Sequence, residues 1–352
     1  MTRDITKTVG CDLGDRFSHV CVLNDLGNVE ARARLSTSRA GFRKWFAAMA
    51  PCRVVIEVGT HSRWVSKLLE ELGHEVIVAN PRQVRLIHQG KRKNDKLDAE
   101  KLARLARVDT QLLSPIKHRN EETHSQLTVL RNRDQLVKAR TLLINHARGV
   151  TKAFGVRIGK CETSSFVRRA EQTPMPATLL TSLQPMLAAL CSLNEQIKNY
   201  DRILQDMAQR SKEVQPLLTI HGVGELTAMA FVLTLEDAGR FQKSRDVGAF
   251  LGLVPKQWQS SQSDPQLRIS KAGDPFVRML LVNCAQRILG PFGRDSDLRR
   301  TGQRLMQRGG KNAKKKAVIA VARKLAVVMH RLWSTGEVYE PLRTPLQPSA
   351  AA

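Results

Sequence analysis

Four carboxylates sit inside a strongly basic chain, at spacings that suit phosphodiester chemistry. Asp12 follows the apolar run of VGCDLG and Glu57 follows that of VVIEVG. Asp95 and Asp98 lie in KNDKLDAEKLARL, among Lys93, Lys96, Lys101 and Arg104. For the pair alone the ordinary reading is a solvated helix start, where acids complement the macrodipole. Taken as a set, the residues say more. Acids that end separate strands can converge on one sheet edge, and an i, i+3 pair shares one helix face. Such carboxylates repel one another unless a cation lies between them, and oxygen donors suit Mg²⁺. Two such ions about 4 Å apart stabilise the attacking and the departing oxygens of a phosphodiester.

Three further stretches carry candidate chemistry. PKQWQSSQSDPQLRISKAGDP sets a serine cluster between the apolar AFLGLVP and a cationic segment with Arg268, Lys271 and Arg278. Such a loop is ordinarily just polar, but a serine attacks phosphorus when a base or metal activates it and cations hold the phosphate. TIHGVGELTA resembles the turn of a helix-hairpin-helix, in which Gly222 and Gly224 let backbone N–H groups approach a DNA phosphate. From Leu298 to Gly336 there are eleven Lys or Arg and no acid, with Lys311, Lys314, Lys315 and Lys316 clustered. There Val318, Ile319, Val321, Leu325, Val328 and Leu332 predict a helix with one buried side and one phosphate-tracking side.

Composition supports an anionic polymer as partner. The 352 residues hold 57 Lys plus Arg against 32 Asp plus Glu, a net charge of +25. Charge of that size speaks of partners rather than of fold, and nucleic acid comes first. No apolar run reaches the roughly 20 residues of a spanning helix, and MTRDITKTVG has no signal-peptide core, so the expectation is a cytoplasmic protein without membrane contact. Cys11, Cys21, Cys52, Cys161, Cys191 and Cys284 are scattered, which fits neither zinc nor disulfides and suggests small core residues in a reducing compartment.

The elements that must position these groups follow from periodicity. From Thr8 to about Asp109 short Val- and Ile-rich runs alternate with helical stretches: a strand, a hairpin turning at Asn24 to Gly27, then CRVVIEVG, SRWVSKLLEELG and HEVIVAN. That order predicts a mixed sheet flanked by helices. In Leu183 to Met207 one heptad phase holds Leu183, Leu190, Ile197 and Leu204, the other Met186, Leu193, Tyr200 and Met207. The pattern predicts a coiled coil or a helix packed within its own domain, with a helix from about Glu122 to Arg148 as its antiparallel partner. The expected domains are 1–115 (α/β), 116–212 (helical coiled coil), 213–342 (mainly α, with the serine cluster) and 343–352 (a disordered tail).

The acids resemble the DEDD arrangement of ribonuclease H-like nucleases and Holliday-junction resolvases. Over nearly the whole chain, VGCDLG, VVIEVGTHSRW, KNDKLDAEKLARL, TIHGVG, FLGLVPKQWQS with SDPQLRISKAGD, GPFGRDSDLRR and RGGKNAKKKAVIAVARKLAVVMHRLW are similar to the DEDD transposases of the bacterial insertion-sequence one-ten family. These are bridge-RNA-guided serine recombinases. The resemblance implies that the first domain is ribonuclease H-like, with Mg²⁺ at Asp12, Glu57, Asp95 and Asp98, and a coiled coil that mediates assembly. It also implies a serine that links covalently to DNA, in a composite site built across protomers of a dimer, with a tetramer in the synaptic complex. A noncoding RNA of the element would pair with donor and target DNA. The family serine stands in a Gln-Ser-Gly context; Gln259 and Ser260 match it, and Ser261 replaces the glycine, so Ser261 and Ser263 stay open as alternatives. Two other readings compete: a metal-dependent junction nuclease in which water attacks, and a non-catalytic nucleic-acid-binding regulator.

Overall fold

The computed structural model describes residues 6–80, 95–260, 263, 265 and 267–343, with all of their side chains except those of Asp95 and Lys96. The expected tail beyond Arg343 lies outside the described residues. The chain divides into two compact units, Met1–Arg119 and Asn120–Ala352.

The first unit is a five-stranded mixed sheet between helices. In chain order come β1 (Thr8–Asp12), β2 (Phe17–Leu23), β3 (Val29–Ser36), α1 (Arg39–Phe46), β4 (Arg53–Glu57), α2 (Ser62–Glu71), β5 (Glu75–Ala79) and α3 (Asp95–Val108). The strand order is β3-β2-β1-β4-β5. β1 and β2, and β2 and β3, pair antiparallel, whereas β4 runs parallel to both β1 and β5. This topology is compatible with a ribonuclease H-like domain.

Alternation along the central strands serves two cores, as expected of strands covered on both faces. Val9, Cys11, Val54 and Ile56 pack with Phe42, Phe46, Val65 and Leu68 beneath α1 and α2. On the other face Val55 and Ile77 pack with Leu102 and Ala106 of α3, and Cys21 and Leu23 with Ala99 and Ala103. Gly10 makes that second contact possible: a Cβ there would lie 1.9 Å from the Ala99 carbonyl oxygen and 2.7 Å from the Ala103 amide. α2 ends at Gly73 with φ +88°, where glycine adopts the left-handed geometry without a Cβ clash.

The second unit is helical. It contains α4 (Glu121–Ala153), α5 (Phe166–Glu171), α6 (Ala177–Arg210), α7 (Gln215–Leu218), α8 (Glu225–Leu235), α9 (Asp246–Phe250), α10 (Pro275–Leu289), α11 (Asp297–Gln307) and α12 (Ala313–Thr335). α4 and α6 form an antiparallel hairpin. Leu127 and Leu130 share a core with Leu204 and Ala208, Arg133 pairs with Asp201 at 2.5 Å, Arg140 donates to Asn194 at 2.9 Å, and Ile144 packs with Leu183 and Leu190. One phase of the expected seam (Leu183, Leu190, Ile197, Leu204) is therefore buried within the chain, while Met186, Leu193, Tyr200 and Met207 are half-buried.

α8 is apolar around its whole circumference, and every residue from Thr227 to Leu235 is buried, as befits the central helix of a core. Four cysteines are core residues as expected, but Cys161 is half-buried and Cys191 exposed. Among the described residues no helix is long and apolar enough to cross a membrane.

Candidate active site and nucleic-acid interface

Asp12 and Glu57 are the last residues of β1 and β4. These strands are parallel neighbours in which Cys11 stands beside Ile56, so the two acids close adjoining strands spaced about 4.8 Å apart. Cys11 and Ile56 face the α1/α2 core; alternation turns Asp12 and Glu57 to the α3 side. Asp98 lies on α3 one residue before Ala99, whose carbonyl covers Gly10. Asp12, Glu57 and Asp98 are all half-buried, and Asp98 pairs with Lys101 at 3.3 Å. The side chain of Asp95, the fourth acid, lies outside the described residues.

Among the described residues no three His, Cys, Asp or Glu form a group that could hold a metal ion. The strand ends bring two acids together and α3 adds a third on the same face, short of a closed cluster. The donor chemistry, carboxylate oxygens on one half-buried face, suits a hard divalent cation such as Mg²⁺. Burial first, and the neighbouring Asp12 charge second, push the Cys11 thiol up, which makes it an inert core group.

The loops beyond these strands carry further polar groups. The loop after β4 is tied by Ser62, which donates to the Gly59 carbonyl at 2.8 Å and accepts from the Gly59 amide at 3.0 Å. It carries His61, whose Nδ1 accepts from Trp64 at 3.1 Å and whose Nε2 stands 3.6 Å from Asp15 of the loop after β1. The signal was present in VVIEVGTHSRW, where His61 follows Glu57 by four residues.

Ser260 and Ser263 lie on a β-like ribbon. Ser270 donates to Val254 at 2.8 Å, Lys256 to Arg268 at 2.9 Å, and Lys271 to Gly252 at 3.2 Å. At the tip Ser260 and Ser263 bridge each other, and both are exposed. Ser261 and Asp264 lie outside the described residues.

The base of the ribbon is locked. Gly252 (φ +68°) and Gly273 (φ +70°) interleave so closely that a Cβ at either would sit 2.3 or 2.1 Å from backbone atoms. The Arg278 guanidinium donates to the carbonyls of Leu251 (3.0 Å) and Ala272 (2.7 Å). Arg278 is thus engaged in holding the ribbon base, whereas Arg268 and Lys271 are exposed along it.

Gly222 and Gly224 fall in the turn between α7 and α8. Gly222 takes φ +97° against Ile288, and Gly224 is the N-cap of α8, with open space where its Cβ would be. Lys311, Lys314, Lys315 and Lys316 are exposed around the start of α12, and Val318, Val321, Leu325 and Leu332 are buried on its other side. That amphipathic division is the expected one, except that Ile319 and Val328 are half-buried rather than buried.

Residues 9–154 match a DEDD-type IS110 family model described as "Transposase". Residues 214–296 match one described as "Transposase IS116/IS110/IS902 family". The chain is 30% identical over 340 residues to a "Probable family 20 transposase" of Pseudomonas aeruginosa, covering 95% of this chain and 98% of that protein. It is 31% identical over 284 residues to the "Transposase for insertion sequence element IS1328" of Yersinia enterocolitica, covering 79% of this chain and 82% of the relative. With the "Transposase for insertion sequence element IS1111A" of Coxiella burnetii it shares 27% identity over 340 residues, 95% and 91% of the two chains.

Proposed function

Since the chain belongs to the IS110 family of transposases, we propose that it excises and inserts its own mobile element by serine-mediated DNA strand exchange, guided by a noncoding RNA of that element. Membership makes it a DNA-rearranging enzyme; the serine chemistry, the guide RNA, Mg²⁺ and the oligomer are this reading's own content. The observation that carries it is Ser260, at the exposed tip of a ribbon whose base is fixed by Gly252, Gly273 and Arg278. A nucleophile that must reach a phosphate in a DNA groove needs this combination of rigid root and solvent-facing tip.

In the step proposed, the Ser260 oxygen attacks the scissile phosphorus. The new bond is Oγ–P, the bond broken is from phosphorus to a sugar oxygen, and the serine proton leaves as the departing oxygen gains one. Strand exchange is the reverse step with a different DNA end attacking the phosphoserine. Arg268, Lys271 and the lysines at the start of α12 neutralise the backbone phosphates, and the turn at Gly222 and Gly224 offers amides to another. Asp12, Glu57, Asp95 and Asp98 are the residues that would hold Mg²⁺. Bound there, the cation supplies charge stabilisation to the phosphate and the departing oxygen. Domain limits at 115, 212 and 342, homo-oligomeric assembly through the α4/α6 hairpin as a dimer with a tetramer in the synaptic complex, and a cytoplasmic setting complete the reading.

The test is a covalent adduct. The protein is incubated with Mg²⁺, DNA carrying the element's ends and target, and a transcript of the noncoding segment beside the reading frame. The wild type should yield a protein–DNA species that survives denaturation, and Ser260→Ala none. An adduct that persists in Ser260→Ala moves the nucleophile to Ser261 or Ser263. Cleavage without any adduct means that water attacks, and the junction-nuclease reading replaces this one.

A further inference from the structure

The motif GPFGRDSDLRR takes no part in the chemistry above, yet it holds the most exposed aromatic ring of the second unit: Phe292 is 89% exposed. A single exposed Phe is ordinary on a protein surface. This one differs in the braced loop that carries it. Arg299 donates to the carbonyls of Ile288 and Gly290, both at 2.6 Å. Gly293 packs so tightly that a Cβ there would lie 2.0 Å from the Ile288 carbonyl. These contacts fix the backbone of the loop between α10 and α11, which carries the Phe292 ring on its exposed side.

Beside this loop, α10, α11 and α12 enclose an open cavity of about 690 Å³, within the roughly 300–1,000 Å³ that accommodates a small organic group. Its walls are apolar, from Val282, Leu289, Met306 and Ile319, and Pro291, the neighbour of Phe292, lines it. Its lip is cationic, from Lys314 and Lys315, and Gln286 contributes an exposed amide. The close fit of Gly302, where a Cβ would stand 2.4 Å from Leu289 and 2.8 Å from Val321, binds α11 to its neighbours and keeps the cavity formed. An apolar recess under a cationic lip matches a ligand that is flat and apolar at one end and anionic at the other.

We propose that this cavity receives one unpaired nucleotide of the substrate DNA. The base lies against the apolar walls, its phosphate rests on Lys314 and Lys315, and Phe292 stacks on the neighbouring base to hold the gap open. Charge complementarity selects the occupant: the lip lies in an acid-free stretch with eleven Lys or Arg, which a protein segment or a lipid tail would not require. Aromatic rings that stack on or wedge between bases are a general means of holding a strand unpaired, and an extruded base needs a pocket to enter. Strand exchange passes through unpaired DNA, so the cavity would stabilise that state. The inference rests on the family's DNA substrate and not on Ser260.

The test reads binding rather than cleavage, so its outcome is independent of the serine chemistry. Full-length protein is titrated with a DNA duplex carrying one central unpaired 2-aminopurine, with the fully paired duplex, and with RNA of the same bulged design. The bulged DNA should bind about tenfold more tightly than the paired duplex, the size of one base–aromatic stack. Phe292→Ala and Gln286→Trp, both at exposed positions, should each bring that ratio close to one, and Phe292→Trp should retain it. The fluorescence change of the 2-aminopurine on binding wild type should be lost in Gln286→Trp, which closes the mouth. Equal affinity of the wild type for both DNAs, a ratio that survives both variants, or a preference for bulged RNA over bulged DNA would each overturn the proposal.

Discussion

Ser260 and Ser263 exchange both of their backbone hydrogen bonds, Ser260 N–H to the Ser263 carbonyl at 3.1 Å and Ser263 N–H to the Ser260 carbonyl at 2.9 Å. These two main-chain bonds fix the backbone of Ser260 against that of Ser263. Side-chain and backbone changes at Ser263 should therefore act differently. Ser263→Ala should retain adduct formation, and Ser263→Pro, which removes the 2.9 Å donor, should abolish most of it while the thermal melting of the protein is unchanged. Failure of Ser263→Ala to form the adduct would assign a role to the Ser263 hydroxyl instead.

Asp98 is half-buried and pairs with Lys101 at 3.3 Å one helical turn away, and an i, i+3 pair of this kind contributes only about 0.2–0.5 kcal/mol. Asp98→Asn should leave melting and DNA binding close to wild type and abolish cleavage, as should Glu57→Gln. Cleavage that persists in either variant at saturating Mg²⁺ would remove that residue from the metal set.

The close approach of Gly10 to α3 gives an independent handle on the same site. Gly10→Ala forces a Cβ into the Ala99 carbonyl, and overpacking of this kind costs about 1–3 kcal/mol or more. The melting temperature should fall, and cleavage should disappear even at temperatures where the protein stays folded, because α3 carries Asp98. Wild-type cleavage in a folded Gly10→Ala protein would show that the helix does not position the acid.

Lys314, Lys315 and Lys316 are exposed with no acid nearby in sequence. Changing all three to Ala should weaken binding to DNA of any sequence. The slope of log K against log salt should flatten by about 0.9 for each duplex phosphate that is no longer neutralised. An unchanged slope would place the phosphate track elsewhere.

His74 is buried beneath α1, with Nδ1 accepting from the Cys52 amide at 3.3 Å and Nε2 donating to the Phe46 carbonyl at 3.2 Å. Burial pushes its pKa below the usual value of 6.5. The folded value lies below the unfolded one, so the stabilisation is complete above about pH 6.5 and is lost as the pH falls through the folded pKa. Melting of the wild type should decline on acidification through that range more steeply than melting of His74→Gln, which keeps a donor and an acceptor but does not titrate. Parallel curves would show that His74 is not the group responsible.

Local sequence determined much of this protein. Short Val- and Ile-rich apolar runs marked β1, β2, β4 and β5, heptad spacing marked α6, and the acid-free stretch marked α12 with its buried and cationic sides. Each of these depends on neighbours within a turn or two, which is the range over which side-chain periodicity reports burial. The candidate acids were legible for the same reason: an acid after a buried strand has nowhere to go but the sheet edge.

Tertiary structure decided what depends on partners distant in the chain. Gly10 reads as an ordinary strand glycine until Ala99 lies on it. Arg278 reads as a phosphate ligand until the carbonyls of Leu251 and Ala272 take its guanidinium. The Leu183–Leu204 seam suits an intermolecular coil as well as an internal hairpin until Ile144 and Leu130 fill it from within. Phe292 and the cavity beside it have no local signature at all. Helices α10, α11 and α12 must pack before their apolar residues leave a gap, and a volume enclosed by three separate segments is not a property of any one of them.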